Sequence, residues 1–295
     1  MHQGVLKGHV RMVCALTLAL LVCLAVPALA EESAGLVEQF DNGTIDWQTG
    51  QIVAVGIGAP PPSALSSAQS RPMAIRAATV VARRNLLEIL KGMHIDSATT
   101  VENYMVTDDT VVSQVRGHLQ NSRILDTAYM SDGTIEVTVS ATLRGSFADA
   151  VMPKTMPFKS LAATPSLQAP PTGVPAATPP PAPSFTGVVI DARGLGLRPA
   201  LSPRIVDEQG GAVYGAAQVS REYAVQQGMA GYAKDMDAAK GNPRVAGNPL
   251  LLKAMAAAGQ AKTDLVLGMA AAASLRHAAE KNNFLEKCRV MIVVD

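Results

Sequence analysis

The side chains able to do acid–base, nucleophilic or metal chemistry are few and scattered. Beyond the first 30 residues the histidines are His94, His118 and His277, and none stands at a metal-ligand spacing from another His or from Cys. Cys288 is the remaining thiol there. It precedes the apolar run Val290–Val294, a setting that predicts a small buried hydrophobe beside a strand, with no His nearby to form a thiolate. Asp96, Asp108 and Asp109 lack the one-three-five spacing of an EF-hand loop and read as caps and turns. Neither G-x-S-x-G nor H-E-x-x-H occurs. The pattern predicts a chain that is not an enzyme and that carries no metal or cofactor.

Two basic features remain as contact candidates. Arg193-Gly194-Leu195-Gly196-Leu197-Arg198 has the glycines of a phosphate-cradling loop but neither the third glycine of a dinucleotide fingerprint nor a Gly-Lys-Ser/Thr ending, and Pro199 interrupts any following helix. A bend after a strand is the plainer expectation, with Arg193 and Arg198 as the contacts if a small ligand binds there. Arg83 and Arg84 lie on the outer face of a predicted helix. They suit an acidic partner, although Glu88, four residues beyond Arg84, is placed to pair with it.

Composition narrows the classes further. With 25 Lys+Arg against 24 Asp+Glu the chain has no cationic surplus for gripping nucleic acid. Three Cys make neither a disulfide framework nor a four-thiolate zinc site. Lys7, His9 and Arg11 precede the apolar run Met12–Val26, and Ala28-Leu29-Ala30 supplies small residues at −3 and −1, the pattern of a secretory signal peptide over residues 1–30 cut after Ala30. The run is short for a retained bilayer span. Leu20-Leu21-Val22 before Cys23 lacks the small residues that precede a lipid-modified Cys. The expected product is periplasmic or otherwise exported, without a lipid anchor and without a transmembrane segment after processing.

The elements that must carry these residues fall into two groups. Residues 153–183 hold ten of the nineteen prolines, a composition that predicts a solvated, extended spacer. It separates a first domain, residues 31–152, from a second, residues 184–295. In the first, Thr44–Trp47 and Gln51–Ile57 read as a hairpin around Gln48-Thr49-Gly50, and a helix runs from Ser63 or Ser70, either able to cap it, to about Lys91. Its inner face is Ala74, Ile75, Ala78, Ala82, Leu86 and Ile89. Short helices over Thr99–Leu119, the second starting at Asp108 or Asp109, lead to strands Ser122–Met130 and Thr134–Leu143 around a two-residue turn at Asp132-Gly133. In the second domain, strands are predicted at Gly187–Asp191, Leu265–Leu267 and Arg289–Val294, a hairpin at Arg204–Tyr214, and helices at Ser220–Ala233 and Ala270–Lys281. The fold class is α+β: two small domains, the first an antiparallel sheet packed with one long amphipathic helix.

The run Gln51-Ile52-Val53-Ala54-Val55-Gly56-Ile57-Gly58, with Arg71–Ala78 and Ala82-Arg83-Arg84-Asn85-Leu86-Leu87-Glu88 after it, resembles the lipoprotein-twenty family of bacterial envelope proteins. The resemblance extends through Lys91-Gly92 to the strand Gly133–Leu143 and covers roughly residues 44–150. Flagellar assembly protein T carries a comparable N-terminal domain. The resemblance implies an assembly or scaffold role with envelope or flagellar proteins as partners and no active site. The second domain carries no such resemblance. The alternative expectation is a periplasmic small-ligand-binding protein using the Arg193–Arg198 loop.

Overall fold

Strict alternation of side chains along residues 51–58 and 135–142 builds the first sheet. The computed structural model describes residues 35–62, 66–159, 184–245 and 247–295. The N-terminal module contains β1 (Val37–Phe40), β2 (Gly43–Asp46), β3 (Gln51–Gly58), α1 (Ser67–Gly92), α2 (Val101–Thr107), α3 (Asp109–Gln120), β4 (Arg123–Tyr129), β5 (Ile135–Thr142) and α4 (Ser146–Val151). Its five strands run antiparallel in the order β1-β2-β3-β5-β4.

Helix α1 lies over β3 and β5. Ala74, Ala78, Ala82 and Leu86 form its buried stripe, and the strand meets them with Gly56 and Gly58. A methyl group on Gly56 would overlap the backbone of Ala78 and Ala82, and one on Gly58 that of Ala74 and Ala78. Small residues on both surfaces therefore allow close helix–strand approach. Asn85 Nδ2 donates to Val55 O at 2.6 Å, tying the same helix to the strand's main chain. Val53, Val55 and Ile57 share a face as the alternation requires, and it is the face turned away from α1.

Local chemistry differs from expectation at three places. Helix α1 starts at Ser67 after Ser66, whose side chain makes no cap bond; Ser70 lies inside the helix and Ser63 lies outside the described residues. Glu88 pairs with Lys91 at 3.4 Å, one turn on, leaving Arg84 exposed. The β4–β5 loop has three residues, Ser131-Asp132-Gly133, because Met130 and Thr134 still pair (N–H to O, 3.0 Å) and Gly133 takes φ 86°. Asp132 accepts from the Thr134 amide and hydroxyl, which holds its carboxyl below the usual range.

The C-terminal module contains β6 (Gly187–Asp191), β7 (Ile205–Asp207), β8 (Ala212–Tyr214), a 3₁₀ turn (Ala216–Gln218), α5 (Arg221–Gln227), β9 (Gly231–Ala233), α6 (Met236–Gly241), β10 (Pro249–Lys253), β11 (Ala256–Ala258), β12 (Asp264–Leu267), α7 (Met269–Lys281) and β13 (Val290–Val293). A parallel sheet has the order β10-β6-β13-β9, and a mixed sheet the order β11-β12-β7-β8. Residues expected to continue a helix to Ala233 instead turn at Gly228, φ 79°, and re-enter the parallel sheet as β9. Helix α5 ends at the left-handed Gly228, where Arg244 satisfies the carbonyls of Gln227 and Gly228 and also that of Cys288.

Both modules belong to one compact unit, Ala34–Asp295. Gly35 bridges to Ala233, and the amides of Leu201 and Ser202 donate to His94 O and Ile95 O at 3.0 and 2.7 Å. Arg221, opening α5, reaches the Asp149 carboxylate and the carbonyls of Asp149, Met152 and Pro153 at the end of α4. The first residues of the expected spacer are thus held in place. Phe158 lies under the Arg221 guanidinium, and Lys159 binds Val219 O through its amide and Glu286 through its ammonium. Residues 160–183 and the leader, with Ala28, Ala30 and its cut site, lie outside the described residues. Among the described residues no helix is long and apolar enough to cross a membrane.

Candidate functional site

The loop after β6 stands at the carboxyl edge of the parallel sheet, where open α/β sheets commonly bind ligands. The first of its two arginines is paired internally. The Arg193 guanidinium forks onto Asp191 (Nε to Oδ1 2.9 Å, Nη2 to Oδ2 2.8 Å), and this contact holds the Asp191 carboxyl below its usual range. The Gly194 amide donates to both carboxylate oxygens of Asp295. Gly194 and Gly196 take φ 76° and 63°, so the glycines serve a left-handed bend that carries Leu197 into the core. Arg198 faces another quarter: its amide binds Lys262 O, and it borders a small cavity of about 40 Å³ with Glu38, Trp47, Met93 and His94. Burial, and secondly the Arg198 charge, lower the His94 pKa. Arg193 and Arg198 therefore serve different surroundings.

Two clefts that sequence reasoning missed flank the segment Ala212–Gln218. One, of about 430 Å³, is bordered by Lys159, Arg276, Asn283 and Glu286; the other, of about 370 Å³, by Asp96, Ser97, Met156 and Arg204. Ala212, Ala217 and Gln218 line both. Their cations are paired: Arg276 with Asp207, Arg204 with Asp264 and Lys159 with Glu286, each at 2.6 Å. Arg276, with the Gly211 amide, holds the Asp207 carboxyl below its usual range. These clefts join residues distant in sequence, so no local spacing announces them.

Cys288 is buried, and burial pushes its thiol up to about 12, which leaves it protonated at neutral pH. His118 Nδ1 lies 3.4 Å from Ser146 Oγ while its buried Nε2 has no partner, and His277 lies 4.0 Å from Glu280. Among the described residues no three His, Cys, Asp or Glu side chains gather as a metal site. Asp96 and Asp108 act as turn and cap groups, accepting from the amides of Ala98 and Thr99 and of Thr110.

Arg83 and Arg84 sit elsewhere, on α1. Arg83 Nε donates to Ser122 Oγ at 3.1 Å, directly before β4. Strand β4 is one of the two outer strands of the first sheet, and Ile124, Leu125 and Tyr129 on it are 50%, 53% and 62% exposed. The structure does not bring Arg83 or Arg84 to Arg193 or Arg198; it sets Arg83 beside an open sheet edge.

The residues from β6 onward thus define a mixed α/β module around a four-stranded parallel sheet. A family model described as the second domain of Treponema pallidum Tp0624 matches residues 187–295, the span of that module, which is accordingly similar to that domain. No curated protein matches the chain.

Proposed function

We propose that this chain is a non-enzymatic binding and assembly component of the bacterial envelope. The observation that carries the reading is the contrast between its two modules. In the C-terminal module Arg193, Arg204 and Arg276 are each paired with a carboxylate, whereas the N-terminal sheet presents an unpaired apolar edge beside arginines. An unpaired edge is a template for another chain. The leader-like sequence and the lipoprotein-twenty resemblance support placing that partner in the envelope, with flagellar structures among the assemblies concerned. Deleting the gene should impair envelope integrity or motility, and cross-linking the tagged protein in cells should trap an envelope protein. Normal growth, envelope and motility with no trapped partner overturn the proposal.

The second reading, a small-ligand binder, has one observation in its favour: the adjoining clefts along Ala212–Gln218. It moves the site away from Arg193–Arg198. A ligand seated there raises the melting temperature with its concentration, and substitution of Gln218 should abolish that shift.

A further inference from the structure

The β4 edge has the properties of a strand-docking groove. Helix α1 covers β3 and β5, so the helix-side residues of β4 project beside it. Ile124, Thr127 and Tyr129 stand opposite Val139, Val137 and Ile135, which face α1, and they continue that apolar surface outward. Met130 N–H donates to Thr134 O. By antiparallel alternation the peptide groups of Thr127 and Tyr129 then point away from β5, toward the open side. A bulge at Leu125 interrupts the ladder between Ile124 and Asp126, and the strand is regular beyond it.

Charge on the α1 side of this edge is of one sign. Arg83 reaches Ser122, which shows that its flank of α1 borders β4, and Arg76, seven residues earlier, falls on the same flank toward the Tyr129 end. Arg123, opposite Ser140, is exposed on the other face of β4. Among the described residues Arg76 and Arg83 make no salt bridge, while Asp126, the carboxylate on the strand, lies on the face away from α1. We propose that the groove between α1 and β4 binds an extended acidic segment of a partner protein, added as a sixth strand on β4, with its carboxylates on the α1 side against Arg76 and Arg83 and its alternate, apolar side chains on the opposite face. A second copy of this chain fits less well, since it brings the same arginines to the seam. This surface rests on the assembly reading above.

The test uses the full chain and three synthetic nine-residue peptides: one alternating Glu and Val, its Lys counterpart, and the Glu peptide with a central Pro. The Glu peptide should bind, with affinity falling as salt rises, and the other two should bind at least tenfold more weakly. Thr127→Pro removes an outward donor while leaving the β4–β5 ladder intact, and should weaken the Glu peptide at least tenfold. Arg76→Glu combined with Arg83→Glu should shift preference to the Lys peptide. If Thr127→Pro fails to fold, hydrogen exchange replaces it: the Thr127 and Tyr129 amides should gain protection when the Glu peptide is added to the unaltered protein. Absence of binding, equal binding of the Lys peptide, or binding without protection at those amides overturns the proposal. So does a dimer, seen by ultracentrifugation, that Arg83→Glu disperses, for it gives the edge to a second copy. A deletion phenotype that persists when the peptides fail leaves the assembly role standing and removes this surface from it.

Discussion

Trp47 of the N-terminal module meets Tyr232 of the C-terminal module edge to face, ring centroids 5.5 Å apart and planes at 70°. Both rings are anchored at their polar ends. Trp47 Nε1 donates to Glu38, and the Tyr232 hydroxyl donates to Ala200 O and accepts from Ala200 N, each at 3.0 Å. Trp47 is the protein's one tryptophan, so its fluorescence reports on this contact. Trp47→Ala should cost about 3–5 kcal/mol, read by urea denaturation followed by circular dichroism. In the unaltered protein the fluorescence and dichroism transitions should coincide; separate midpoints would mean that the contact opens before the modules unfold.

A nick should not separate the modules. Inserting a specific protease site between Thr164 and Pro165 and cutting there should give two pieces that still elute together, held by the Arg221–Asp149 and Lys159–Glu286 pairs and the aromatic contact. Pieces that part on gel filtration would show that the interface needs the covalent connection.

Two glycine substitutions should have opposite signs. Gly56→Ala forces α1 away from β3 and should cost at least about 1–3 kcal/mol through overpacking. Gly117 lies in α3 with open space where a methyl would stand. Gly117→Ala should therefore stabilise by about 0.5–1 kcal/mol through helix propensity. Thermal melting of the two variants side by side settles both signs.

The Cys288 thiol should be inert in the native protein. In a chain starting at Glu31, a thiol reagent at pH 8 should label nothing until denaturant is added, because burial pushes the group up to about 12 and excludes the reagent. Rapid native labelling would place the thiol at an accessible surface.

Burial lowers the pKa of His118 from its ordinary 6.5, and burial followed by the Arg198 charge lowers that of His94. The unfolded chain then binds these protons more readily than the folded one. Stability is therefore full above about pH 6.5 and falls as pH drops from there through the folded values. His118→Gln should flatten the slope of unfolding free energy between pH 5 and 7. An unchanged slope would remove His118 from the account.

The parts of the fold legible in the sequence are those specified locally. Ala74, Ala78 and Ala82 recur at helical spacing, and Ile135, Val137 and Val139 alternate, so α1 and β5 show their inner faces without a structure. Gly231–Ala233 is a strand because β13 lies beside it, and nothing within those residues says so. The three-residue loop at Ser131–Gly133 depends on the Met130–Thr134 pair across it. At the candidate site Arg83 was readable as an outward cation, but its neighbour Ser122 lies 39 positions away. That β4 is an edge is likewise a property of strand order, which pattern within a strand does not encode.

The placement of β13 has a consequence for the order in which the protein is made. It is the last strand of the described chain, yet it sits between β6 and β9 and gives both their parallel neighbour. While the ribosome is still upstream of Val290, β6 can pair only with β10, and β9 has no strand to join. The parallel sheet of the C-terminal module therefore cannot join β6 to β9 until residues 290–293 are available, so a chain that stops short of them leaves both strands without their shared neighbour.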